Sequence, residues 1–265
     1  MDLELTGRTA FVSGSTQGIG YAVAAGLAAE GVRVVLNGRD PQRVDAAVAR
    51  LRAQHPGPEH SGLVADFADA GAVERLGAAL AVLDVDVLVN NVGQFGLADF
   101  ADVTDDDWAR YIEVNLMSAV RLSRALLGGM LARGWGRIVS ISSESGVDVP
   151  ADMVHYGVTK AALIALGNGL AKTTRGTGVT VNTVLGGPTF SDGVATVVER
   201  IAVARSVPVE SVRDATIAER RTSLLGRFIE PEEIADAVVY LASPRASATN
   251  GSAVRVDGGV LTGML

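Results

Sequence analysis

The sequence predicts an α/β fold: a doubly wound, mostly parallel seven-stranded sheet with helices on both faces, in one domain spanning residues 1–265. Three observations carry this expectation. Short β-branched runs alternate with longer stretches of helical periodicity. Most of the short runs are apolar without in/out alternation, as strands buried on both faces require. A glycine-rich turn joins the first run to the first helical stretch.

In chain order, the strand candidates are Thr9–Ser13, Arg33–Leu36, Gly62–Ala65, Val85–Asn90, Arg137–Ser142, Thr180–Val184 and Ala253–Val256. After the first, Ile19, Val23 and Leu27 recur at helical spacing, and the small residues Ala22 and Gly26 permit close approach to the sheet. Asp40 is a cap followed by Pro41 in the first turn, opening a helix over Gln42–Gln54. Thr104, with Asp107 three residues on, opens a longer one. Only 191–225 breaks the rhythm, as a helix-like insertion after the sixth strand. In an open parallel sheet such a segment lies beyond the carboxyl ends of the strands, so it is read as a substrate lid.

The balance of 23 basic and 30 acidic residues, net −7, disfavours nucleic acid or an anionic membrane as main partner and favours a small molecule. The N-terminal residues carry no basic n-region or apolar h-region, and no apolar run approaches a membrane span, so a cytoplasmic location is expected. With no cysteine, and three histidines (His55, His60, His155) lacking ligand spacing, no metal site is expected.

Gly14-Ser15-Thr16-Gln17-Gly18-Ile19-Gly20 follows the first strand directly. Its glycines allow a tight turn and bring backbone N–H groups toward a pyrophosphate at the positive end of the helix. A carboxylate ending the second strand would accept from the ribose of NAD, but the chain reads Asn37-Gly38-Arg39. Arg39 suits a 2′-phosphate, so NADP(H) is preferred and NAD(H) is the alternative if Arg39 is simply solvated.

Tyr156 and Lys160 stand four residues apart on one helix face, in a chain whose only lysines are Lys160 and Lys172. A phenol near pKa 10 is a poor base at neutral pH, and a nearby ammonium favours its phenolate.

The chain resembles the short-chain dehydrogenase/reductase family nearly end to end. The likeness rests on Gly14-x3-Gly18-x-Gly20, Asp66, Asn90-Asn91-Val92-Gly93, Asn115, Ser143, Tyr156-x3-Lys160 and Val256-Asp257-Gly258-Gly259. It implies a Rossmann-like sheet and a Ser143–Tyr156–Lys160 core. In that scheme Ser143 bonds the substrate oxygen, Tyr156 delivers or removes the proton, Lys160 lowers the tyrosine pKa and holds the nicotinamide ribose, and Asn115 supports a proton relay. It further implies cofactor contacts from Asp66, Phe67, Asn91, Gly93, Gly187, Thr189 and Ser191, and a homotetramer or homodimer. Read alone, Asn115, Ser143 and Asp66 also pass as ordinary helix-end and turn residues. Two departures stand out: Gly186-Gly187-Pro188 replaces the family's Pro-Gly, predicting a less rigid approach to the nicotinamide, and Val92 replaces an alanine.

Substrate-pocket candidates are Gln94, Phe95, Glu144, Val149, Met153 and Phe190. Glu144 reads first as a solvated loop carboxylate, its alternative being a contact to a cationic or hydroxylated substrate. His155 reads as a neutral packing residue, because adjacent helix residues point apart. The expected function is an NADP(H)-dependent ketone reductase of carbonyl or 3-oxoacyl type. The alternatives are an NAD-linked alcohol or sugar dehydrogenase and a dinucleotide-binding regulator without turnover.

Overall fold

The computed structural model describes residues 1–219 and 222–264. Seven strands form one sheet in the order β3-β2-β1-β4-β5-β6-β7. They are β1 (Thr9–Val12), β2 (Arg33–Gly38), β3 (Ser61–Val64), β4 (Val87–Asn90), β5 (Trp135–Ser143), β6 (Gly178–Gly186) and β7 (Ala253–Val256). Every pairing is parallel. All seven predicted strands are present, with β5 and β6 longer than expected at both ends.

Chain order reverses between β1 and β4, and such a switch point leaves a crevice at the carboxyl ends of the strands. Helices α1 (Gly18–Ala29), α2 (Pro41–Gln54) and α9 (Pro231–Ala242) cover one face, where Leu27, Leu51, Ile234 and Val238 are buried. The other face is packed by α3 (Ala70–Val82) and α5 (Ser118–Arg133) through Leu76, Leu80, Leu122 and Met130. Gly26 proves to serve the packing of α1 on α9 rather than on the sheet: a Cβ there would lie 3.0 Å from Val239 Cγ2.

Asp40 caps α2 by accepting from the N–H groups of Gln42 and Arg43. Thr104 and Asp107 form a reciprocal capping box on α4 (Asp105–Ile112). The long helix expected there is interrupted by a π-helical turn, Glu113–Met117, before α5. Such turns often mark functional sites, and this one carries Asn115. Among its described residues the 191–225 segment holds two helices, α7 (Asp192–Arg205) and α8 (Val209–Glu219), with a small apolar cluster of their own around Val198, Ala202 and Val212. Residues 220 and 221 of the expected lid lie outside the described residues.

Candidate active site

The glycine turn begins the site. Gly14 and Gly18 take positive φ, 60° and 57°, which side chains disfavour. A Cβ on Gly20 would meet Gly14 O at 2.4 Å and Asn91 Nδ2 at 2.5 Å. Ser15 and Asn37 are fully buried and lock this turn to β2: Asn37 Oδ1 accepts from the Gly14 N–H at 3.0 Å, and Ser15 Oγ accepts from the Asn37 N–H at 2.9 Å. Asn91 braces it from β4, donating Nδ2 to Ser13 O at 2.9 Å and Gly14 O at 3.0 Å. These three side chains shape the cradle instead of facing its contents. Phe67 is likewise buried in the core, so only its backbone faces outward, while Asp66 is exposed and accepts from the Ala68 N–H.

At the end of β2, Arg39 is exposed and forms no hydrogen bond or ion pair among the described residues. Thr16 stands over Gly38: a Cβ on Gly38 would lie 2.7 Å from Thr16 Cγ2 and 3.1 Å from Val44 Cγ2. A side chain at Gly38 therefore has no room unless Thr16 moves. A second guanidinium, Arg43 on α2, donates to Gln17 Oε1 in the glycine turn.

The second half of the site gathers at the end of β5 and on α6 (Val154–Thr173). The two approach closely because glycines stand at the contact. A Cβ on Gly157 would lie 2.7 Å from Ser145 O, and one on Gly146 would lie 2.8 Å from Ala161 N. Ser143, at the last position of β5, thereby comes beside Tyr156, while its hydroxyl donates to Glu144 Oε2. Lys160 is buried, with Nζ 5.6 Å from the Tyr156 ring centroid and donating to Ile141 O at 2.9 Å. Asn115 is clasped to the backbone of Gln94, accepting from its N–H at 2.8 Å and donating to its carbonyl at 3.0 Å, and also reaches Thr159 Oγ1 at 3.0 Å. Gly93 lies between Asn115 and Lys160, since its Cβ would fall 3.5 Å from Asn115 Oδ1 and 3.4 Å from Lys160 Nζ.

Burial raises the Tyr156 pKa above that of a free phenol; the Ser143 hydroxyl opposes this, and the Glu144 charge and Tyr111 add to it. Burial also lowers the Lys160 pKa to about 8, against a smaller opposing effect of Glu144. In this state Tyr156 is a proton donor, not a standing phenolate.

Known proteins share this arrangement. A family model described as enoyl-(acyl carrier protein) reductase matches residues 14–261. An oxidoreductase of Bacillus subtilis is 44% identical over 266 residues, covering 98% of this chain and 99% of its own. The chain belongs to the short-chain dehydrogenase/reductase family. Among solved structures, L-sorbose reductase from Gluconobacter frateurii, complexed with NADPH and L-sorbose, superposes with a TM-score of 0.95 at 31% identity over 100% of both chains. An actinorhodin polyketide ketoreductase with NADPH gives 0.86 at 34% identity, covering 96% of this chain and 97% of its own. This short-chain dehydrogenase/reductase is thus an oxidoreductase acting on CH–OH or C=O groups with a nicotinamide dinucleotide. No described helix is long and apolar enough to cross a membrane.

Other expected site residues of this family member are spread unevenly. Met153 is buried, whereas Phe95 is 51% and Val149 39% exposed. Phe190 turns toward the 191–225 segment, with its ring 5.5 Å from Phe228 and the Arg213 guanidinium 3.9 Å from its centroid. His155 is buried edge-on to Tyr111 at 4.3 Å, in agreement with a packing role. Gly186 is paired on both sides in β6, with Ser143 and Val256, and a Cβ on Gly187 would lie 2.5 Å from Asp257 O. Of the two, Gly187 is close-packed on Asp257, whereas Gly186 is paired within the sheet.

Thr189 Oγ1 donates to Gly187 O, and Ser191 precedes α7 without capping it by its side chain. Glu144 contradicts its first reading outright: it is 6% exposed and part of the Ser143 hydrogen-bond network, because the short 3-10 turn Glu144–Gly146 folds back against α6. Sequence reasoning missed Arg43 and Asp192, and the place of Thr16 over Gly38, because these depend on contacts between elements distant along the chain.

Proposed function

We propose that the protein is an NADP(H)-dependent reductase of ketones, with Ser143, Tyr156 and Lys160 as its catalytic residues and Asn115 supporting proton supply. The observation that carries this reading is the convergence of Ser143 and a protonated Tyr156 with buried Lys160 beside Gly93 and Asn115.

The residues present fit the dinucleotide. The N-terminus of α1, uncapped by the Gln17 side chain, already receives an anionic oxygen from Asp192, which is what a phosphate would supply. Gly14–Gly20 would hold the pyrophosphate and Arg39, with Arg43 behind Gln17, the 2′-phosphate. Asp66 and the Phe67 backbone would face the adenine, and Lys160 with the 187–191 segment the nicotinamide end. When bound, the reduced nicotinamide supplies hydride. Ser143 orients the carbonyl oxygen, and Tyr156 transfers its proton to that oxygen as the alcohol forms. A phenol kept protonated by burial suits this reducing direction.

The 191–225 segment serves as the lid, because Gly193 and Ser191 at its start border Phe95 and Gly18. Assembly as a homotetramer or homodimer belongs to the same reading and rests on the family alone, and a cytoplasmic location rests on the sequence pattern. The test is NADPH and NADH oxidation across simple ketones, a 3-oxo ester, a ketohexose and a 3-oxoacyl thioester. Turnover with NADPH that disappears in Tyr156→Phe supports the reading; no turnover on the panel, or undiminished turnover in that variant, overturns it.

A further inference from the structure

Glu144 is the only buried glutamate among the described residues. The short turn that carries it, Glu144–Gly146, starts where β5 ends, at the carboxyl edge of the sheet where such folds bind ligands. A buried carboxylate is costly unless it is paired and hydrogen-bonded, yet no cation forms an ion pair with it among those residues. Lys160, which feels its charge, donates instead to Ile141 O at 2.9 Å. An ionised carboxylate offers about four lone-pair sites. Here two protein hydroxyls reach it, Ser143 at Oε2 and Ser145 at Oε1, the latter over 3.4 Å. The acceptor capacity left over sits beside the serine proposed to hold the substrate's carbonyl oxygen.

Ser143 has one hydroxyl proton and gives it to Glu144 Oε2. A carbonyl oxygen, which can only accept, needs that same proton. On a substrate, an oxygen attached to the carbon next to the carbonyl stands within hydrogen-bond length of the carbonyl oxygen. A hydroxyl at that place therefore comes within reach of Glu144 when Ser143 holds the carbonyl. By donating to the carboxylate it takes the serine's place there and frees the Ser143 proton for the carbonyl. A ketone without such a donor leaves carbonyl and carboxylate competing for one proton. We propose that Glu144 is a specificity-determining residue that selects ketones bearing a hydroxyl on the carbon next to the carbonyl, by accepting a hydrogen bond from that hydroxyl. Glu144 stays a carboxylate throughout, and no bond is made or broken at it. Hydride and the Tyr156 proton go to the carbonyl, and the product is a vicinal diol whose unreacted hydroxyl keeps the same acceptor.

The inference rests on the reductase reading of Ser143 and Tyr156. Hydroxyacetone and methoxyacetone test it, because both carry an oxygen beside the carbonyl and only the first has a proton to donate. With saturating NADPH, wild-type kcat/KM is expected to favour hydroxyacetone by at least about tenfold, as for a hydrogen bond to a charged group. Glu144→Leu, which puts an apolar group of similar size in place of the buried charge, should reduce this preference to within about threefold. A wild-type preference already below about threefold overturns the proposal without any substitution, so the result does not hang on the folding of a variant. An undiminished preference in folded Glu144→Leu overturns it as well, since a role limited to stability would lower Tm and leave the ratio of the two ketones unmoved. If no ketone is turned over, or Tyr156→Phe stays active, the reductase reading fails and this inference with it; if turnover requires Tyr156 and the preference is indifferent to Glu144, only the present inference fails.

Discussion

The backbone N–H of Gly18 donates to Asp192 Oδ2 at 2.6 Å, so the first residue of α7 closes on the first residue of α1 across 174 positions of sequence. A carboxylate thus occupies the helix end proposed to receive the cofactor's pyrophosphate, and the two anions exclude one another. Asp192→Ala is expected to tighten NADPH by several-fold, the equivalent of about 1 kcal/mol. Fluorescence titration measures this, and an unchanged or weaker affinity would remove Gly18 and Asp192 from cofactor entry.

Tyr156→Phe removes one transferable proton and little volume. It should leave fold and NADPH affinity nearly intact and lower kcat below about a tenth of the wild-type value where chemistry limits the rate. Lys160→Ala should weaken NADPH as well as turnover; a loss confined to turnover would deny Lys160 its ribose contact.

Burial holds the Lys160 pKa at about 8, below the ordinary lysine value of 10.5. The unfolded chain therefore binds this proton more readily, and stability should rise as pH climbs from 8 toward 10.5 and fall on the return. The increment is of the order of 3 kcal/mol at most. Urea denaturation of wild type and Lys160→Met across this window checks it, since the variant should lack the increment. An equal rise in both would assign it to other groups.

Cofactor choice is predicted to depend on the Arg39 guanidinium and the Thr16 methyl group. Arg39→Leu should raise the Kd for NADPH by roughly one to two orders of magnitude and leave that for NADH nearly unchanged. Gly38→Asp alone should bind neither cofactor well, because its Cβ meets Thr16 Cγ2 at 2.7 Å. Adding Thr16→Ser, which removes that methyl, together with Arg39→Leu should turn the preference toward NADH. Equal weakening of both cofactors by Arg39→Leu would make the arginine structural.

Neighbouring glycines should respond in opposite ways. A Cβ on Gly186 has its nearest neighbour at 3.5 Å, whereas one on Gly187 meets Asp257 O at 2.5 Å. Gly186→Ala is expected to change stability by less than about 1 kcal/mol and Gly187→Ala to cost about 2 kcal/mol or more, read from urea midpoints. Similar values for the two would show that β7 can shift to admit a side chain.

Seven apolar strands, the glycine turn and the Tyr156–Lys160 pair were legible because each depends on local spacing. Strand and helix periods, backbone freedom at glycine and the i, i+4 face of a helix are all properties of short windows. Even Asp40 and Thr104 acted as caps where their sequence neighbours required it. The charge state and surroundings of the site were not legible. Whether Glu144 is solvated, whether Lys160 lowers the tyrosine pKa, and whether Gly186-Gly187 is loose all depend on which distant elements close over them. Ser143 and Tyr156 lie on different elements, and Gly146 and Gly157 bring them within reach by letting a short turn pack against α6. The same close packing removes water from Tyr156, Lys160 and Glu144 together, and the free energy of a charge is set by its solvent and neighbours in space rather than along the chain.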